Sequence, residues 1–235
     1  MTYLRWDVSG PYDVVFTTRA GGVSDGPFSS LNLGRKTGDD VERVDENRRR
    51  ACAEIGADAD RLALNYQFHS TLVHRALAGS RGVRGDGLWT DASDVPILAM
   101  SADCLPVALA RTNGRAPAVA VVHVGWRGLI DGVLESAVVA LGGGGLAAAI
   151  GPGIGPCCYE VRDDVGGPFR ARFGAAIVQH GKLDLWCAAE AALHDAGVAR
   201  VDRFDLCTSC RPELFFSHRR DGKPRGVQGV LARVA

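Results

Sequence analysis

Residues 118–141 read AVAVVHVGWRGLIDGVLESAVVAL, and the way this stretch divides decides the fold class. Ala118 to Val122 is an unbroken run of valine and alanine, of strand length, that ends at His123. Gly-Trp-Arg-Gly then makes a turn, and Leu129 to Leu141 reads as a helix. The four glycines at 142–145 close it, and Leu146 to Ile150 is another short strand. Strand, helix and strand in direct succession mark an α/β chain.

Working outward, Tyr12 to Thr18 reads as a strand, followed by a turn-rich segment, RAGGVSDGPFSSLNLG, of a length that is usually functional inside a compact domain. Asp39 to Ile55 carries apolar residues at 41, 44, 51 and 55 with charges between them, an amphipathic helix whose early aspartates suit the positive end of its dipole. Leu62 to Phe68 is a strand that delivers His69, and Val95 to Ala102 a buried strand that delivers Asp103 and Cys104. Pro106 then interrupts, with VALA continuing as a bent or bulged strand. Helices are expected at Asp164 to Phe173 and Asp184 to Ala196, and strands near Val201 to Leu206 and Val227 to Val234. Strands and helices alternate with no repeat and no Pro/Ser-rich linker, so residues 1–235 are expected to form one α/β domain on a mixed sheet. Strand order is not legible at this level.

The 235 residues are 46% hydrophobic and 23% charged, the balance of an ordinary globular protein. Twenty-seven basic residues cancel 27 acidic ones, so no general attraction to nucleic acid or an anionic membrane is expected, and a small-molecule ligand fits better. The start, MTYLRWDVSG, lacks the order of a secretory signal, and no apolar run approaches the roughly 18 residues of a spanning helix, so the expected location is cytoplasmic. Seven irregularly spaced cysteines suit reduced thiols better than a disulfide framework. Cys207 and Cys210 form a CxxC without a second pair, which argues against a structural zinc, and GPGIGP at 151–156 reads as a structural turn.

His69, Cys104 and His123 share a context: each follows an apolar segment and precedes a turn. Were those segments neighbouring strands of one sheet, the three side chains would emerge at one edge. Their wide separations rule out a zinc finger and fit a catalytic metal site, in which three ligands come from separate strands and a fourth position stays open. One Cys and two His suit zinc and also copper. The alternative is that the histidines are satisfied strand-end residues and Cys104 a small core filler.

The segments TTRAGGVSDGPFSSLNLG, GDDVERVDENRRR, NYQFHS, GDGLWTDASDVPILAMSADCLPVAL, AVVHVGWRG, AAIGPGIGPCCYEV, DLWCAAE, CTSC and FFSHRRDG together resemble the YfiH family. That family is also called the polyphenol oxidase or laccase-domain family, and more recently purine nucleoside phosphorylase or peptidoglycan editing factor. The resemblance runs from about residue 13 to about residue 230. It implies a sandwich of mixed β-sheets flanked by helices, YfiH-like and cysteine-hydrolase-like, with a metal centre whose ligands fall on His69, Cys104 and His123. Phe68, Ser70 and Val124 depart from the usual Val, Gly and Ala, the first two flanking a ligand.

The resemblance implies action on purine nucleosides: deamination of adenosine, and cleavage of adenosine, inosine or methylthioadenosine with phosphate. A zinc-activated hydroxide suits attack at C6 of adenine. Asp103, beside Cys104, is then the candidate proton shuttle, or else a group that orients a ligand. Phosphorolysis needs cations, and Arg48 and Arg127 are the candidates for phosphate or ribose, with Asn32 adding a polar contact. Two further readings are an amidase with Cys104 activated by His123, acting on a nucleotide-linked muramoyl-serine (UDP-MurNAc-L-Ser), and a non-enzymatic metal-bearing binding module. The laccase label fits less well, because only four histidines would remain for an oxygen-reducing copper cluster. The expected state is a monomer.

Overall fold

A computed structural model describes residues 2–235. The strands in chain order are β1 Tyr3–Arg5, β2 Tyr12–Thr17, β3 Ala63–Tyr66, β4 Val73–Arg75, β5 Arg81–Arg84, β6 Gly87–Thr90 and β7 Ile97–Ser101. They continue with β8 Leu105–Arg111, β9 Val119–Val124, β10 Leu146–Ile150, β11 Val178–Gln179, β12 Lys182–Leu183, β13 Arg200–Arg203 and β14 Gln228–Val234. The helices are α1 Val41–Glu54, α2 Trp126–Asp131, α3 Val133–Ala140, α4 Asp163–Phe173, α5 Leu185–Asp195 and α6 His218–Asp221.

Two six-stranded mixed sheets stack face to face, one ordered β1-β2-β14-β7-β3-β5 and the other β13-β10-β8-β9-β6-β4. Alternate residues explain the stacking. Val119 and Val121 of β9 join Phe16, Ile97 and Val230 in the core between the sheets. Ala120, Val122 and Val124 point the other way, onto Leu129, Val133 and Leu134 of α2 and α3 and onto Trp186 of α5. The run AVAVVHV is apolar throughout because β9 is covered on both faces. On the far side, α1 lays Ala51 and Cys52 over Val15, Leu98 and Leu231 of the first sheet. Asp40 caps α1 by accepting from the N–H groups of Glu42 at 2.8 Å and Arg43 at 3.2 Å, an arrangement worth about 1 kcal/mol.

Four sequence expectations are corrected. The helix expected over Leu129 to Leu141 is two helices, because Gly132 adopts a φ of +97° that ends α2 and restarts the chain as α3. Pro106 does not interrupt a strand: β7 ends at Ser101, the chain crosses to the second sheet, and β8 already includes Pro106. Its missing donor is tolerated because it lies opposite His123, whose own N–H turns away to the Asp86 carbonyl at 2.7 Å. The segments that deliver His69, Cys104 and His123 do not all share one sheet: β3 and β7 are parallel neighbours in the first, but β9, which carries His123, belongs to the second. Finally, Cys207 and Cys210 are not a lone pair, since Cys157 and Cys158 stand beside them.

Candidate metal centre and active site

The three side chains meet at strand ends where the chain crosses between the two sheets. His69 follows β3, Cys104 lies in the crossover from β7 to β8, and His123 has the same parity as Val119 and Val121, so its ring enters the space between the sheets. Their ligand atoms lie within 4.8 Å of one another. His69 Nε2 is 3.7 Å from Cys104 Sγ, and the two imidazoles meet edge to face with centroids 4.9 Å apart. His69 and Asp103 are non-glycine residues at positive φ, 65° and 93°, backbone strain of the kind that accumulates at functional sites.

Asp86, which the sequence reasoning missed, organises this group. Fully buried just before β6, it accepts from His123 Nδ1 at 2.8 Å and from the His69 N–H at 3.0 Å through Oδ1. Its Oδ2 takes Ser70 N–H at 2.6 Å, Ser70 Oγ at 2.7 Å and Phe68 N–H at 3.3 Å. Burial by itself raises a carboxyl pKa, but here the hydrogen bonds from His123 and Ser70 outweigh it and hold Asp86 well below the usual carboxylate range. With Nδ1 committed to Asp86, the second nitrogen of His123 is left for Cys104 or a metal. The only sequence cue is the GDG at 85–87, an acid at the mouth of a strand, without periodicity to mark it.

Burial raises the Cys104 pKa, yet the neighbouring histidines more than reverse this and bring it down to about 6. Burial lowers that of His123, while the Cys104 charge and the Asp86 hydrogen bond lift it to about 9. Both shifts favour the charged forms, a thiolate beside an imidazolium, in the protein without metal.

Two imidazole nitrogens and a thiolate sulfur within 4.8 Å of one another suit a borderline-soft divalent ion such as zinc. Gly125 keeps the cradle open: a Cβ there would collide with the His69 ring, 2.8 Å from Nε2, and lie 3.2 Å from Cys104 Sγ. The change Gly125→Ala is therefore expected to push His69 aside and abolish tight metal binding while the protein still folds. Metal content and thermal melting of the variant check this.

The remaining sequence candidates separate. Arg48, 6% exposed, gives its Nε to the Leu33 carbonyl at 2.9 Å and lines a cavity of about 470 Å³. Arg127 is exposed and stacks over Trp126, away from that cavity. Asn32 is fully buried and ties the long loop together, donating to Asp39 Oδ2 at 2.8 Å and accepting from the Val227 N–H at 3.0 Å. Asp103 has both oxygens occupied, by Thr208 Oγ1 and by the Arg219 N–H, each at 2.6 Å.

The cavity carries six cations, Arg35, Lys36, Arg48, Arg81, Lys223 and Arg225, and no acid. Gln67, two residues before His69, lines it, and Arg225 is close enough to Asp103 and Cys104 to feel both charges. Burial, then the charges of Arg81 and Arg35, lower the pKa of Arg48 to about 10. Asn65 Oδ1 and Arg225 Nε, both at this cavity, are buried without a hydrogen-bond partner. A bound anion relieves the crowding of cations and gives Arg225 Nε its acceptor, while Asn65 Oδ1 asks for a donor such as a ligand hydroxyl or N–H.

Residues 13–234 match the family model described as multi-copper polyphenol oxidoreductase laccase. The chain is 33% identical to the purine nucleoside phosphorylase of Haemophilus influenzae over 97% of its length and 96% of that protein's. It is 37% identical to purine nucleoside phosphorylase YfiH of Escherichia coli K12, over 87% of each. Among solved structures, Neisseria meningitidis protein NMB0706 superposes with a TM-score of 0.89 at 34% identity, covering 100% of this chain and 99% of that one. YlmD of Geobacillus stearothermophilus gives 0.90 at 31% identity, covering 100% and 97%. A match over nearly the whole chain, a shared two-sheet fold and a convergent Cys and His pair lead to one conclusion: the chain belongs to the laccase-like YfiH family.

Proposed function

We propose that this protein is a zinc-dependent purine nucleoside phosphorylase that also deaminates adenosine. The observation that carries the reading is the acid-free cationic cavity beside the triad, with its unpartnered Asn65 Oδ1 and Arg225 Nε. At about 470 Å³ it falls in the range of small-molecule sites. The names of the relatives support a nucleoside and phosphate as substrates. His69, Cys104 and His123 would hold the metal, and zinc bound there supplies a Lewis acid and a hydroxide near neutral pH.

This chain's own residues do the rest. Arg48 and Arg225 hold phosphate by charge-assisted hydrogen bonds and bring it toward the sugar carbon, whose positive charge grows as the glycosidic bond breaks. Asp86 fixes the His123 tautomer and the backbone of His69. Asp103 fits the positioning of the Cys104 turn, since both of its oxygens are occupied. Arg127 and Asn32, being outside the cavity wall, fit structural roles. The copper label finds less support: neither metal-competent group among the described residues holds more than two histidines.

The test compares wild type with Cys104→Ala for bound metal and for turnover of adenosine with and without phosphate. Adenine that forms only with phosphate, inosine in either buffer, and loss of both in the variant are expected. Protein that carries zinc but leaves adenosine untouched would overturn the reading.

The thiolate beside His123 and Asp86 favours a second reading, a Cys104 nucleophile in an amidase acting on a muramoyl-serine substrate. In the metal-free protein, Cys104 alkylation is expected to rise through about pH 6 and to be flat by pH 7 to 8. An ordinary thiol, with a pKa of about 8.5, is still climbing there. Hydrolysis that survives chelation and stops on alkylation would favour this alternative; loss of activity on chelation returns the case to the phosphorylase.

A further inference from the structure

The cysteines left over from the triad are not scattered. β10 and β13 are parallel neighbours paired from Ala147↔Arg200 to Ile150↔Arg203, so both leave the sheet at the same end. The turn after β10 carries Cys157 and Cys158, and the turn after β13 carries Cys207 and Cys210. The Thr208 N–H donates to the Gly153 carbonyl at 3.0 Å and locks the two turns together. The four sulfurs lie within 4.8 Å of one another, with Cys157 to Cys210 at 3.5 Å and Cys158 to Cys210 at 3.3 Å, and all four are free thiols.

We propose that Cys157, Cys158, Cys207 and Cys210 form a second metal centre, a closed tetrathiolate site for zinc that staples these two turns. A tetrahedron with Zn–S bonds of about 2.3 Å has S···S edges of roughly 3.8 Å, between the 3.3 and 3.5 Å of the two short contacts and the 4.8 Å that bounds the rest. Packing of four thiols needs no such convergence, and a disulfide would engage only two of them. The surroundings of Cys207 suit negative sulfur. The Gly155 N–H donates to Cys207 Sγ at 3.3 Å, and the Cys210 N–H reaches the same atom. Lys182 Nζ sits on the Cys157 carbonyl at 3.0 Å, and the Arg219 guanidinium on the Cys158 carbonyl at 3.4 Å, so cations stand beside a site whose complex is anionic. Binding moves the displaced thiol protons to solvent and changes no oxidation state.

The staple is connected to the triad. The Ile154 N–H donates to the Asp103 carbonyl at 2.8 Å, and Thr208 Oγ1 to the Asp103 side chain at 2.6 Å. Both turns thereby hold the residue next to Cys104. The centre has four protein ligands and no open position, so its role is structural, in contrast to the three-ligand group.

Cys104→Ala protein isolates this centre, because the triad can then no longer offer its sulfur. Titrated with Co²⁺ after metal removal under reducing conditions, it is expected to bind one ion per chain with the intense charge-transfer and tetrahedral ligand-field bands of sulfur-only coordination, and Zn²⁺ should displace it. Cys207→Ala/Cys210→Ala should halve the zinc content of otherwise wild-type protein and lower its melting temperature. The cobalt spectrum decides even if that double variant fails to fold. A Cys104→Ala protein without a sulfur-only cobalt spectrum would overturn the proposal. So would freshly purified wild type lighter by two hydrogens, the mass of a disulfide, with no second zinc. Iron in place of zinc at this site would overturn the choice of metal.

Discussion

Asp86→Asn is expected to lower zinc affinity by roughly 10- to 100-fold, the usual cost of losing a carboxylate behind a ligating histidine. The Asp86 carboxylate receives five hydrogen bonds, all from donors. An amide offers one acceptor oxygen and one donor nitrogen. With the nitrogen toward His123, Nδ1 must become the acceptor, the proton moves to the other nitrogen, and that nitrogen is lost as a ligand. With the nitrogen toward Ser70, the turn that holds His69 loses its anchor. Either orientation leaves buried donors unpaired at about 1–3 kcal/mol each, so the melting temperature falls too. Competition with a chelator of known affinity measures the first effect and calorimetry the second. Turnover at saturating zinc separates positioning from proton transfer: near-normal kcat is the expected result, and a collapse of kcat in fully loaded protein would make Asp86 a proton carrier.

Arg225→Met is expected to raise the KM for phosphate by roughly 10- to 150-fold, the equivalent of the 1.5–3 kcal/mol carried by a hydrogen bond to a charged group. Deamination in phosphate-free buffer should be unchanged, since it uses no phosphate. Arg225 keeps one bond, from Nη1 to the Gly222 carbonyl at 3.0 Å, while its Nε has no partner and burial opposes its charge, so the loss on folding is small when it is removed. Arg48→Met tests the same cavity with a different stability sign. The Arg48 pKa is lowered, first by burial and then by Arg81 and Arg35, which means that its charge opposes folding. Removing that charge offsets the lost bond to the Leu33 carbonyl, so the melting temperature should hold while phosphate binding weakens. Steady-state kinetics in phosphate, with deamination as the internal control, check both variants. An unchanged phosphate KM in both would remove the cavity from phosphorolysis.

The sequence by itself determined the elements and the nomination of the triad. The valine run into His123, the capped amphipathic helix over 41–54 and the apolar segments before His69 and Cys104 are local patterns, set by side-chain periodicity and turn chemistry. Three reactive residues at the ends of such segments are visible in one dimension, and the family motifs around them sharpened that reading. Only the tertiary structure decided that these segments belong to two sheets and that the triad forms where the chain crosses between them. It also decided that Arg48 joins Arg81 and Arg225 from distant parts of the chain at one cavity while Arg127 and Asn32 stay outside it. Asp86 and the four-cysteine cluster lay outside local reading for the same reason. A carboxylate becomes an anchor, and a CxxC gains its second pair, through strand pairings between residues far apart in the chain: β6 with β9 brings Asp86 to His123, and β10 with β13 brings Cys157 and Cys158 to Cys207 and Cys210. Those pairings depend on how apolar faces are shared among strands, a property of the assembled sheets that no single segment carries.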